Sequence, residues 1–110
     1  MTMFDEREKA YEAKYRLDEE TSFKIMVRRD KLLGLWAAAR MGLSGGDAQA
    51  YARRLIEADL LPGDHDVRHR VMRDLAAAGI GVDDHEMEKR VAAMHETARE
   101  QILAEIAGTA

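Results

Sequence analysis

Residues Thr21 to Met41 read TSFKIMVRRDKLLGLWAAARM, and this stretch decides the fold. Phe23, Ile25, Met26, Val27, Leu32, Leu33, Leu35, Trp36 and Ala37 to Ala39 make it strongly apolar, with no proline and few β-branched residues, which favours helix over strand. Ile25, Leu32 and Trp36 fall on one helical face together with Arg29, and further apolar residues run well round the cylinder. A helix of this kind is expected to make contacts on more than one side. Gly34 in its interior costs about 1 kcal/mol relative to Ala, so it is expected at a close approach or a bend.

Outward from this helix the chain keeps the same period. Glycines 42, 45 and 46 break it, and Ser44 or Asp47 is placed to cap a second helix whose Ala48, Tyr51, Ala52, Leu55 and Ile56 share a face. Leu61-Pro62-Gly63 ends that helix. Asp64 or Asp66 opens a third, with Val67, Val71, Leu75 and Ala78 on one side and Gly79 as a left-handed stop. Asp83 or Asp84 opens a fourth, lined by Met87, Val91, Met94, Ala98 and Ile102 and expected to fray at Gly108. Short connections imply antiparallel neighbours, so the fold class is all-α: a small four-helix bundle with Leu32, Trp36, Leu55, Val71, Leu75, Val91 and Met94 in its core.

Residues 1 to 20 differ in character. Seven acids oppose four bases, and the apolar content is a narrow stripe of Phe4, Tyr11 and Tyr15 at helical spacing. Asp5 with Lys9 and Glu12 with Arg16 form supporting i,i+4 pairs. Three aromatics weigh little against a backbone ordering cost of about 1 to 2 kcal/mol per residue, so the segment is expected to be mobile and partly helical alone and to order on a partner. The domain division is therefore a flexible segment over 1–18 and a helical bundle over 19–110.

Composition excludes several function classes. The 110 residues suit one domain, and 17 Lys and Arg against 21 Asp and Glu give a net charge of -4, which argues against a dedicated nucleic-acid or anionic-membrane binder. Without cysteine there is no disulfide, thiol nucleophile or thiolate zinc site. No apolar run reaches about 20 residues and none follows a basic start, so neither membrane insertion nor export is expected and the protein is placed in the cytoplasm.

Candidate chemistry is sparse. His65 and His69 stand at i,i+4 beside Asp64 and Asp66, but no third and fourth ligand follows, and His85 in Asp83-Asp84-His85-Glu86 reads as capping and surface charge. The 42–46 stretch lacks the Lys and hydroxyl of a phosphate loop, Ser22 and Ser44 carry no nucleophile signature, and no enzyme activity or cofactor is expected. The methionines read as core filler. The cluster Lys24, Arg28, Arg29 and Lys31 reads first as a solvated helix face, and alternatively as an anion or adenine-nucleotide contact with Trp36 or a tyrosine against the base.

The motifs Phe4-Asp5-x-Arg7-Glu8-x-Ala10, Asp18-Glu19-Glu20, Phe23-Lys24 and Arg28-Arg29-x-Lys31-Leu32-Leu33-Gly34-Leu35-Trp36-Ala37-Ala38 closely resemble the zeta subunit of alphaproteobacterial ATP synthase, an inhibitor family. A second block, Asp74-Leu75-x-x-Ala78-Gly79 with Val82-Asp83-Asp84-His85-Glu86, resembles the same family. The departures fall in the second helix, between Leu60 and Asp66, and after Met87. The resemblance implies a four-helix bundle whose N-terminal part inserts at a catalytic alpha/beta interface of the F-type ATP synthase head and blocks hydrolytic rotation. On this sequence the implied inhibitory element is about Met1 to Arg16, with Phe4, Tyr11 and Tyr15 as apolar anchors and Asp5, Arg7, Glu8, Glu12 and Arg16 choosing the partner. The implied partner is the catalytic head, with the central stalk within reach, and the implied location is peripheral to the inner membrane. A nucleotide-sensing module and a generic helical adaptor are the alternatives.

Overall fold

A computed structural model of the chain describes residues 19–63 and 66–109. The expected mobile segment, 1–18, and the pair Asp64 and His65 lie outside the described residues. Among the described residues four helices make up the fold: α1 (Glu19–Arg40), α2 (Gly45–Leu60), α3 (Val67–Ala77) and α4 (Asp84–Thr109). Among the described residues there is no strand, so the architecture is all-α, as the sequence implies.

The helix ends follow local chemistry. Asp66 caps α3 by accepting the Arg68 N–H at 2.9 Å, and Asp83 caps α4 by accepting the Glu86 N–H at 2.7 Å. Ser44 holds the cap position of α2 in extended backbone without a side-chain bond, and Asp47 lies inside the first turn. At Gly79 the chain turns through φ +81, which lets Gly79 and Ile80 donate back to the Ala76 and Leu75 carbonyls at 3.0 and 2.9 Å. Gly108 does not end α4, which continues to Thr109. One glycine so near a helix end removes about 1 kcal/mol of propensity but leaves the backbone ladder intact.

α1 is the hub. It packs along both α2 and α4, which barely meet each other. Arg29 reaches Asp59 near the end of α2 while Gly34 faces Ala52, so α1 and α2 run antiparallel. Likewise Arg28 pairs with Glu105 and Trp36 with Arg90, which sets α4 antiparallel to α1. The main core gathers Leu33, Ala37 and Ala38 of α1, Ala48, Tyr51 and Leu55 of α2, Val67, Val71 and Leu75 of α3, and Met87 of α4. A smaller cluster of Ile25, Ala98 and Ile102 joins the far halves of α1 and α4.

The packing face of α1 differs from the expected one. Leu55, Val71 and Leu75 are fully buried, but Leu32, Trp36, Val91 and Met94 are half-buried at the edges of the two clusters. The buried stripe of α1 is instead Asp30, Leu33, Gly34, Ala37 and Ala38. Its small members let the α2 backbone come in against α1, and that spacing leaves no room for an indole in the seam.

Candidate functional site

Residues Phe4, Asp5, Arg7, Glu8, Tyr11, Glu12, Tyr15 and Arg16 lie outside the described residues. The second group of candidates, Lys24, Arg28, Arg29, Lys31 and Trp36, is fully described, and α1 divides it among three places.

Lys24, Arg28 and Lys31 stand at i, i+4 and i+7 along one edge of α1. Across from them the last turns of α4 bring Ile102, Glu105 and Ile106, and together with Phe23 and Val27 these residues line a groove of about 500 Å³. Phe23 is 51% exposed there, a large apolar ring beside three cations. Arg28 is fixed across the groove: it donates to Gln101 Oε1 and to Glu105 Oε1, both at 2.8 Å. The Arg28 hydrogen bond holds the Glu105 carboxyl below its usual range. Lys24 pairs with Glu20 at 3.4 Å in an exposed contact of small energetic weight.

Arg29 turns the other way. Its Nε and Nη2 donate to Asp30 Oδ1 at 3.0 and 2.9 Å, and Nη2 also donates to Asp59 Oδ2 at 3.2 Å. Beside this pairing opens a polar cleft of about 600 Å³, where Asp66 and Arg68 of α3 face Glu88 and His95 of α4. Arg68 is held there by Asp66 and Glu88 at 3.8 and 3.5 Å. Burial, then a hydrogen bond with Asp59, push the Asp30 carboxyl up to about 7 against the pull of Arg29.

Trp36 belongs to neither surface. Both Arg40 and Arg90 lie over its ring, their guanidinium carbons 5.7 and 4.8 Å from the ring centre. The indole face is thus covered by cations of the protein itself. His69 is exposed and meets Asp66 at 3.1 Å, and among the described residues no group of three or more His, Asp or Glu is placed to hold a metal ion.

Three features of these surfaces escaped the sequence reading. Phe23 stood in the motif but not as a groove wall, Arg90 was not paired with Trp36, and Asp30 was not singled out among its basic neighbours. The burial of Asp30 did have a signal, since it stands three, four, seven and eight residues before Leu33, Gly34, Ala37 and Ala38. The other two depend on α4, about 50 to 80 residues away in sequence, and had none.

Among the described residues no helix is long and apolar enough to cross a membrane. No curated protein matches the chain significantly. The sequence model of the ATPase inhibitor subunit zeta family matches residues 1–101, nearly the whole chain and including the segment that precedes α1. Four helices in the expected order, the Gly79 stop and the Asp83 cap lie where the family motifs stand, and the chain belongs to the ATPase inhibitor subunit zeta family.

Proposed function

We propose that this chain inhibits ATP hydrolysis by the F-type ATP synthase, with residues 1–18 as the inhibitory segment and residues 19–110 as the bundle that carries it. The observation that carries this reading is the family match, which begins at residue 1 and so takes in the charged, aromatic-striped segment. In this reading Phe4, Tyr11 and Tyr15 insert as a helix at a catalytic alpha/beta interface of the head. Asp5, Arg7, Glu8, Glu12 and Arg16 select the register. Insertion at an interface that must open and close during turnover stops hydrolysis without any chemistry on the inhibitor's part, so no catalytic residue is required of this chain. The bundle's role is to present the segment from the start of α1 at Glu19. The test adds purified full-length protein, or protein lacking residues 1–16, to the cognate ATP synthase head and measures hydrolysis: full-length protein should inhibit and the truncated form should not.

The groove between α1 and α4 supports a second reading, an adenine-nucleotide site that coexists with inhibition. Lys24, Arg28 and Lys31 would meet the phosphates, and exposed Phe23 would stack on the base in place of Trp36, whose ring already carries Arg40 and Arg90. Titration with ATP and ADP, followed by amide chemical shifts, should then move Phe23 to Lys31 and Ile102 to Ile106 together.

A further inference from the structure

Asp30 is the one charged side chain among the described residues that lies in the buried core, with no exposed surface. Its Oδ1 takes both hydrogen bonds from Arg29, while its Oδ2 meets no donor. The same guanidinium serves Asp59 of α2, itself only 12% exposed. One cation therefore answers two carboxyls, one with no exposed surface and the other with little. With both ionised, the site would keep an uncompensated negative charge and an orphaned acceptor, each costly in a buried setting. A proton on Asp30 removes both faults, because it neutralises the excess charge and supplies the O–H that the Asp59 carboxylate can accept.

Among the described residues, Arg29 is the cation paired with both carboxyls. On α3, Asp66 and Arg68 face this cleft, and Arg68 is already held by Asp66 and Glu88. His69, Arg70 and Arg73 of α3 line a second cavity with Asp59, where His69 pairs with Asp66. From α4 come Glu88, an added negative charge, and His95, which is exposed.

We propose that Asp30 and Asp59 hold one proton between them across the α1–α2 contact, so that α2 is held tightly to α1 in acid and loosens as the pH rises towards neutrality. The site is a proton-sensing joint on the helix that leads out of residues 1–18, and it stands independently of how those residues inhibit. The folded Asp30 carboxyl keeps its proton up to about 7, whereas its ordinary value is 3.8. A raised folded-state value means that the stabilisation is complete below about 4, is lost progressively as the pH climbs towards 7, and changes no further above that.

Two measurements on the full-length protein test this. Carbon-detected NMR titration of the Asp30 carboxyl should give an inflection above pH 5.5, and Asp59→Asn should lower it by removing the partner carboxylate. An inflection below 5.5, or one indifferent to Asp59→Asn, overturns the shared proton. Separately, the unfolding constants of the wild type and Asp30→Asn are compared from pH 5 to 8, so that groups common to both proteins cancel in the ratio. The wild-type constant should rise relative to the variant by tenfold or more, a folded value of about 7 giving about a hundredfold over this interval. A smaller change overturns the joint.

Discussion

A Cβ built on Gly34 of α1 would stand 2.7 Å from the Cα of Ala52 in α2, closer than real carbon atoms approach. The two helices are thus in backbone contact at this point, and the neighbouring atom is main chain that cannot rotate aside. Gly34→Ala therefore sets two effects against each other. Helix propensity gains about 1 kcal/mol, while forcing the seam apart costs roughly 1 to 3 kcal/mol and carries Leu33, Ala37 and Leu55 with it. The net outcome should be a destabilised protein, by about 1 kcal/mol or more in urea unfolding, and a variant as stable as the wild type would mean the seam can slide freely.

Leu75 is completely buried on α3 and touches the main core. Leu75→Ala should cost on the order of 2 to 5 kcal/mol, because the rigid helices around it close only partly over the void. Removal of residues 1–16 should cost little by comparison, if the bundle is self-sufficient as proposed. Thermal unfolding of the two variants side by side checks this, and a truncated protein that fails to fold would refute the division at residue 18.

Tyr51 of α2 donates from its hydroxyl to Asp74 Oδ2 of α3 at 2.8 Å, a bond to a carboxylate at the rim of the core. Burial, and then this bond, push the phenol above its usual range. Tyr51→Phe keeps the ring and leaves Asp74 without this donor, so a loss of about 1 to 3 kcal/mol is expected. If the loss is of polar pairing rather than packing, Tyr51→Phe combined with Asp74→Asn should cost less than the sum of the two alone.

For inhibition, the apolar anchors should outweigh the surrounding charges. Tyr11→Ala or Phe4→Ala should weaken inhibition of the cognate head about tenfold to hundredfold, equivalent to roughly 1 to 3 kcal/mol of binding. Glu12→Lys should act mainly on the association rate, with an effect that shrinks as salt is raised. Inhibition assays at low and high salt separate the two classes, and equal salt sensitivity for Tyr11→Ala and Glu12→Lys would contradict the assignment.

How far the sequence is readable depends on how much of each helix is buried. On α3 the order Val67, Val71, Leu75 declares its face, since only one side is apolar, and the Gly79 stop follows from the same period. α1 is harder, because apolar residues surround it: both Trp36 and Leu33 fit some face, and only the close approach of α2 decides for Leu33. The groove was half legible. Lys24, Arg28 and Lys31 align by helical spacing alone, but the wall formed by Ile102 and Glu105 depends on a tertiary pairing that no local pattern encodes. Asp30 was hidden by chemistry rather than distance, since a carboxylate between two cations reads as surface until its proton is considered.

The two apolar clusters also set how the molecule responds to mechanical load. Ile25, Ala98 and Ile102, with Leu32 and Ile106 packed against them, and the Arg28 clamp tie the far ends of α1 and α4, whereas three other helices converge on Leu33 and Ala37. Fewer buried contacts mean a smaller free energy of local opening, so this end should unzip before the rest yields. Residues 1–18 join the bundle at that end, at Glu19. A pull transmitted through them would act first on the α1–α4 seam, peeling it one turn at a time, while the four-helix body behind it, loaded in shear, held its shape.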